Sequence, residues 1–302
     1  MRRMTLRACR DEDGAVIVMM TAFVLGMVGM AALVVDVGAL LDEKAQLQNG
    51  ADAGALAIAQ GCALGASTCD SSLAGPLANS NAKDNDSAAE VPPFNRADKK
   101  VLVRTTTRTG GTSILPYSFG QILSGVSGKQ VRAEATARWE FAGSAVALPL
   151  TISPCDKEQL KVGTQWTINL GVGFGECAGR DAPGAFGWLD RPCQSLMVAG
   201  TPIKVDAGAS GAKCLTTSMI GTVVFLPVFL TTNGKTGNST EYNIIGFAAL
   251  RLSGWKFPGD ASPAVPAGCS QPCIAGTFVN YVTADQVGGG GEFGVFRVFL
   301  SL

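Results

Sequence analysis

The sequence contains no histidine, and this absence narrows the functions open to the chain. Histidine is the commonest general base of enzymes and the commonest metal ligand of proteins. Without it, Ser-His-Asp triads and histidine-bound catalytic zinc sites are excluded. We therefore expect no enzyme activity, no catalytic residue and no cofactor. The remaining acidic candidates have no spacing that places two of them at one site: Asp181, Asp190, Asp206 and Glu241.

Charge is also scarce, at 16% of the residues, and the 24 basic and 24 acidic residues cancel. A neutral chain without basic clusters beyond its N-terminus has no field that attracts a polyanion. We therefore expect no nucleic-acid partner. The hydrophobic content of 47% is enough to bury a sizeable core, which excludes a disordered chain and predicts one or two folded domains.

A long uncharged run lies near the N-terminus, from Ala15 to Val35. At about 1.5 Å per residue, a helix of this length spans the hydrocarbon layer of roughly 30 Å. The run is longer than the apolar region of a cleaved signal peptide, and it lacks the polar face of a buried soluble helix. It predicts a single-pass anchor in the cell membrane. Arginines before a span favour a cytoplasmic N-terminus and an extracytoplasmic C-terminal domain: Arg2, Arg3, Arg7 and Arg10.

The helical pattern continues beyond the apolar run, because hydrophobic residues recur at three- and four-residue steps as far as Gln60. The outer half of this helix is rich in small residues. Gly50, Gly54 and Ala57 leave a surface with little side-chain bulk, which permits close helix packing. Two alternatives remain open for this surface. It packs either on the helix's own domain or on another molecule.

Three strings along this helix resemble a known family. Arg10, Asp11, Glu12 and Gly14 precede the apolar run, Asp36-Val37-Gly38 follows it, and residues 46–57 read Gln-Leu-Gln-Asn-Gly-Ala-Asp-Ala-Gly-Ala-Leu-Ala. Over about the first sixty residues the chain is similar to TadE/TadG-like proteins of the Tad (tight adherence, Flp) pilus-assembly system. The resemblance implies a minor pilin-like or assembly component of the cell envelope.

The chain departs from this family's wider pattern at two places. Pilins of the system carry Glu five residues after a cleaved Gly, whereas the fifth residue after Gly14 is Met19, which does not favour processing. Longer relatives carry an Asp-x-Ser-x-Ser metal motif. The nearest string here, residues 260–264, lacks the last Ser, so we assign no metal site.

Eight of the nine cysteines follow the anchor, and one, Cys9, precedes it. An even set on the extracytoplasmic side fits four disulfides in an oxidising compartment, and eight thiols allow 105 connectivities. A four-cysteine zinc site is the alternative, but Cys269 and Cys273 lack the usual zinc-knuckle spacing. Pairing nearest neighbours would join Cys62 to Cys69, Cys155 to Cys177, Cys193 to Cys214 and Cys269 to Cys273.

Strand patterns dominate the rest of the chain. Residues 101–107 and 131–141 alternate apolar and polar side chains, and 114–123 between them favours a short helix beside the anchor. β-branched and aromatic runs at 165–170, 222–232, 244–252, 277–283 and 293–300 predict an antiparallel β domain. The expected fold class is α+β, with a long N-terminal transmembrane helix followed by a strand-rich, disulfide-bonded extracytoplasmic domain.

Glycine-rich strings punctuate this β domain. Gly288 to Gly291 predicts a flexible hairpin connection, because no Lys-Ser/Thr follows it as in a phosphate-binding loop. Residues 184–190, Gly-Ala-Phe-Gly-Trp-Leu-Asp, predict a turn with a buried tryptophan. This string resembles a segment in the outer domains of TadG-related proteins.

We therefore expect four parts: a cytoplasmic N-terminus at 1–14, a transmembrane and extended pilin-like helix at 15–60, a small α+β segment at 61–147 and a β-rich domain at 148–302. The expected function is a structural or assembly component of a Tad/Flp-type pilus. Its expected partners are other pilus proteins and the bilayer, with homo- or hetero-oligomers possible. The alternative is an envelope-anchored module that binds a surface or glycan through Trp166, Trp188 or Trp255.

The arginines and the apolar run predict that Cys9 is cytoplasmic and reduced, since the cytosol keeps thiols reduced. A membrane-impermeant maleimide should leave Cys9 unlabelled in intact cells and label it after permeabilisation. Labelling of Cys9 from outside, without permeabilisation, would show that the topology is the reverse of the predicted one.

Overall fold

The computed structural model describes most of the chain. The described residues are 12–153, 162–163, 165–169, 186–206, 213–235, 237–263, 267–269, 272–282 and 288–301. Several residues named in the sequence analysis lie outside these ranges: the N-terminal arginines, Cys9, Cys155, Cys177 and Asp181.

One helix, α1, occupies the N-terminal part of the described chain, from Glu12–Leu64. It ends four residues later than predicted. At about 1.5 Å per residue its 53 residues reach about 80 Å. Beyond its end, the hydroxyl of Thr68 donates to the carbonyl of Gly61 at 2.7 Å, which satisfies one of the terminal acceptors of the helix.

Within the described residues, two further α-helices and seventeen strands follow α1. The helices are α2 (Ala74–Asn81) and α3 (Gly120–Ser124). Short 3-10 turns lie at Ala66–Thr68, Ser71–Leu73, Arg96–Asp98, Thr217–Met219 and Gly237–Ser239. The strands are β1 (Ser87–Glu90), β2 (Lys100–Thr107), β3 (Leu115–Pro116), β4 (Gly128–Lys129), β5 (Arg132–Phe141), β6 (Ser144–Ala147), β7 (Leu150–Ile152), β8 (Gln165–Asn169), β9 (Phe186–Trp188), β10 (Ser195–Val198), β11 (Pro202–Lys204), β12 (Val223–Thr232), β13 (Glu241–Phe257), β14 (Asp260–Ala261), β15 (Cys273–Val279), β16 (Tyr281–Val282) and β17 (Val295–Ser301).

The first sheet packs against the outer half of α1. Its strand order is β1-β2-β5-β17-β16, antiparallel except for the parallel pair β16 and β17. The alternation predicted for residues 101–107 and 131–141 is confirmed, because every second side chain of β2 and β5 is buried. Val103, Ala137 and Trp139 face the helix in one apolar cluster with Ile58.

The last strand, β17, belongs to this first sheet although the sequence places it at the end of the β-rich domain. It pairs with β5 in the register Phe296 to Phe141. Phe296 is fully buried against the cluster on α1. Without β17, the edge of β5 would expose unpaired backbone groups. Pairing with residues 295–301 satisfies these groups. The two expected units, 61–147 and 148–302, therefore share one strand.

The second sheet carries the larger β core. Its strand order is β8-β15-β13-β12-β7-β9, with β11 and β14 also paired to β13. The prediction of an antiparallel β domain holds for these pairs except β7 with β12, which is parallel. Residues 186–188 form strand β9 rather than the expected turn, and Trp188 is buried as expected. A side chain at Gly187 would contact the ring of Tyr242, which explains a glycine inside this strand.

A short excursion separates β2 from β5. Here it is called the 114–129 hairpin, and it consists of β3, α3 and β4. The helix predicted over 114–123 is present only as α3, because Leu115 and Pro116 pair with β4 and proline lacks the amide that a helix interior needs.

The tetraglycine was expected to be a flexible hairpin connection, and this expectation is wrong. The strands that precede and follow it, β16 and β17, are parallel, so no hairpin joins them. The amide of Gly290 donates to Phe141 of the first sheet at 3.1 Å, and that of Gly291 donates to Ile245 of the second at 2.8 Å. The glycines form a thin strip hydrogen-bonded to both sheets.

Replacing Gly290 by Ala should lower the free energy of unfolding by about 1 to 3 kcal/mol, since the added Cβ would overlap the carbonyl oxygen of Ala142. Gly75→Ala is the matched control, because a Cβ there meets nothing within 4 Å and should stabilise α2. Denaturant unfolding of the detergent-solubilised chain measures both. Equal stabilities for the two variants would contradict a close approach at Gly290.

Candidate membrane anchor and assembly helix

The N-terminal half of α1, called here the inner half, protrudes from the rest of the described chain. Its large apolar side chains from Val16 to Val35 are 50% to 74% exposed. Among the described residues, α1 is the one helix long and apolar enough to cross a membrane. Exposed side chains of this kind are unfavourable in water and favourable in hydrocarbon. This half of α1 has the length and the exposed apolar surface of a single-pass membrane anchor.

The outer half of α1 is docked on its own domain through small side chains. Ala51, Ala55 and Ala59 are fully buried, and they recur every four residues on one face. At Gly50 an added Cβ would lie 3.0 Å from the Cα of Ala78 in α2. At Gly54 it would lie 3.4 Å from the Cα of Ala74 and 3.5 Å from a methyl of Val103.

These contacts decide between the two alternatives for the small-residue surface. Gly50 and Gly54 are buried against α2 and β2 of the same chain, so they are not open to another molecule. Ala57 is half-buried beside this face. The side of the outer half that remains exposed carries Ala45, Asn49 and Gln60 instead.

Polar contacts fix the height of the helix on the sheet. The buried hydroxyl of Thr105 donates to the carbonyl of Leu47 at 2.8 Å. The side-chain amide of Gln48 donates to the backbone carbonyl of Glu134 at 3.1 Å. Glu43 accepts a hydrogen bond from Thr107. Because these contacts reach from α1 to both β2 and β5, sliding the helix along the sheet would break all of them.

Asp42 and Gln46 tie α1 to the segment after α2. The ammonium of Lys83 lies 2.6 Å from a carboxylate oxygen of Asp42, and the amide of Lys83 donates to Gln46 at 2.7 Å. The hydrogen bond from Lys83 lowers the pKa of Asp42 below its usual value. Both side chains are well exposed, so this pair orients the chain without adding much stability.

Asp36 marks the point where the apolar run ends, and it is 8% exposed. Its carboxylate accepts the backbone amide of Ser118 at 2.8 Å and that of Phe119 at 3.2 Å. It also accepts the amide of Gly120, the first residue of α3. These donors satisfy a charge that burial would otherwise penalise. Sequence reasoning noted the Asp36-Val37-Gly38 string but missed this contact, because no local pattern links Asp36 to residue 118.

Disulfides close three loops of the described chain. They join Cys62 to Cys69 after α1, Cys193 to Cys214 near the second core, and Cys269 to Cys273 before β15. All three follow nearest-neighbour pairing. The expected partners Cys155 and Cys177 lie outside the described residues. Among the described residues no cluster of metal-binding side chains occurs.

The tryptophans of the alternative binding module do not form an exposed aromatic surface. Trp188 is 3% and Trp255 is 1% exposed, and both lie in the second core. Trp166 is partly buried against the same core. Asp260, in the string compared with a metal motif, accepts the indole N–H of Trp255 at 3.3 Å. The structure therefore assigns these residues to packing.

Three of the four acidic candidates considered for catalysis, Asp190, Asp206 and Glu241, lie around β11, and Asp181 lies outside the described residues. The amide of Asp190 donates to the carbonyl of Lys204 at 2.8 Å, and Lys204 pairs with Glu241. Asp206 follows two residues later, and its amide donates to Trp188. These contacts are backbone pairs of a strand edge.

Gly54→Leu should lower the free energy of unfolding by about 1 to 3 kcal/mol through overpacking against Ala74 and Val103. The better helix propensity of leucine, roughly 0.8 kcal/mol, offsets only part of this loss. The matched control Ala45→Leu adds a branched side chain at an exposed position of the same helix and should change stability little. Thermal unfolding in detergent distinguishes the variants. A normally stable Gly54→Leu protein would contradict this packing.

Comparison with known families bears on this same helix. Residues 14–61 match the family model "Putative Flp pilus-assembly TadE/G-like". Searches of curated proteins and of solved structures gave no significant match. The match covers the anchor and nearly all of the docked half of α1, and it leaves both sheets unmatched. The N-terminal segment, residues 14–61, is therefore similar to the putative Flp pilus-assembly TadE/G-like family.

Proposed function

We propose that the chain is a membrane-anchored, minor pilin-like component of Flp pilus assembly that acts through protein–protein contacts. The observation that carries the proposal is α1 itself. One continuous helix matches the pilus-assembly family, protrudes as an exposed apolar half and is docked as a buried outer half. Residues 1–14 lie in the cytoplasm and both sheets lie outside it in this proposal.

The docked half of α1 supports a mechanical role. Because the helix is fixed to the first sheet by Thr105, Glu43 and Gln48, a force or displacement at the protruding half is transmitted to the outer domain. A rigid domain on a stiff helix suits a subunit that is positioned by its membrane segment. No chemical step is required of it.

The protruding half supplies a surface for partner helices. A Cβ placed at Gly26, Gly29 or Gly38 would meet nothing within 4 Å. Ala22 and Gly26 are four residues apart, a small-xxx-small spacing that lets the backbones of membrane helices approach closely. We propose that the pilus partners contact α1 here, since Gly50 and Gly54 are already occupied by the chain's own domain.

Gly26→Leu tests this proposal. The variant should insert and fold normally, because position 26 faces away from the domain, yet it should fail to support pili and to co-purify with pilus components. Val28→Leu is the matched control, since it adds one methylene at an exposed position two residues away and should preserve piliation. Pilus counts by electron microscopy and pull-down from membranes measure the outcome.

Two results would contradict the proposal. Normal piliation of Gly26→Leu with unchanged co-purification of pilus components would remove Gly26 from the contact surface. A deletion strain with normal pili would remove the assembly function itself.

A further inference from the structure

The 114–129 hairpin extends from the first sheet toward the N-terminal, apolar half of α1. At its root, Thr107 contacts Glu43, and the carbonyl of Arg132 accepts a hydrogen bond from Lys44. At its tip, residues 118–120 bind Asp36. Between these heights lie seven to eight residues of α1, which is about 11 Å along the helix axis. The hairpin therefore descends by that distance toward the anchor.

The tip lies at the level where the apolar run ends. Asp36 is the first charged residue after Val35, so a bilayer that covers residues 15–35 has its outer boundary beside α3. Ala32, one helical turn further into the run on the same face, is also buried, although Leu33, Val34 and Val35 are exposed. The covered face of α1 thus extends one turn inside the apolar run.

The composition of the hairpin fits a position at the boundary of the bilayer. No residue between Arg108 and Lys129 is charged. Ile122 is 83% exposed, the highest value for a large apolar side chain among the described residues. Phe119 and Val126 are exposed beside it. An uncharged surface with exposed Phe119, Ile122 and Val126 at the end of an apolar helical run favours lipid over water.

We propose that the 114–129 hairpin is a second membrane contact, an interfacial foot whose Phe119, Ile122 and Val126 enter the headgroup and upper acyl region beside α1. Aromatic and aliphatic side chains are favourable at this depth. Lys129 is exposed at the end of the hairpin away from the tip, and in this proposal its ammonium binds lipid phosphates. This proposal requires that α1 crosses the bilayer, and it does not depend on a role in pilus assembly.

Asp36 is the positioning residue of the foot. Its carboxylate holds three consecutive amides at the start of α3, and a Cβ at Gly120 would lie 3.0 Å from its oxygen, so the tip approaches α1 closely. With α1 fixed on the sheet and α3 fixed on α1, the foot holds the outer domain at one height and one rotation relative to the bilayer.

Photo-crosslinking of the full chain in phosphatidylcholine vesicles with a clickable lipid tests the foot. The photoreactive residue p-benzoylphenylalanine replaces Ile122, Leu25 of the anchor or Leu196 of the second unit, where Leu25 and Leu196 are each 67% exposed. We expect lipid adducts at positions 122 and 25, several-fold above those at 196. A yield at 122 equal to that at 196, or adducts with protein instead of lipid, would overturn the foot.

The same experiment separates the foot from the anchor. Absence of lipid adducts at position 25 would overturn the membrane span, on which the foot rests. Asp36→Ala should reduce the adduct at 122 several-fold and leave the adduct at 25 unchanged. An unchanged yield at 122 in that background would overturn the positioning role of Asp36.

Discussion

Burial of the outer half of α1 against β2, β5 and β17 is the contact on which the rest of the molecule depends. Ile58, Trp139 and Phe296 are each no more than 1% exposed there, and a large apolar side chain contributes about 1.5 to 3 kcal/mol when buried. The small residues of α1 bring its backbone near the sheet, so these large side chains reach across without leaving a void. The position of the first sheet relative to the apolar half of α1 follows from this contact.

Local patterns predicted much of this architecture. The uncharged run predicted the anchor, and the alternation at 101–107 and 131–141 predicted β2 and β5, because period-two burial is visible in one strand alone. The tryptophan of residues 184–190 was correctly expected to be buried. These features depend on neighbours within a few residues, which a single sequence records.

Long-range pairing escaped prediction for the opposite reason. Nothing in residues 295–301 indicates that their partner is β5 rather than a strand of the second sheet. The glycine strip was taken as a flexible connection because glycine permits both freedom and close approach, and only the adjacent sheets decide between them. The capping of Asp36 by residues 118–120 likewise joins segments more than 80 residues apart.

The position of β17 has a consequence for the order of maturation. The segment 295–301 leaves the ribosome after all other described strands, yet it covers the edge of β5 and supplies Phe296 to the cluster on α1. Until then, the first sheet presents an open backbone edge at β5 that can pair with other chains. Non-local pairing of this kind closes slowly, so the newly made chain passes through an interval in which it is prone to aggregation.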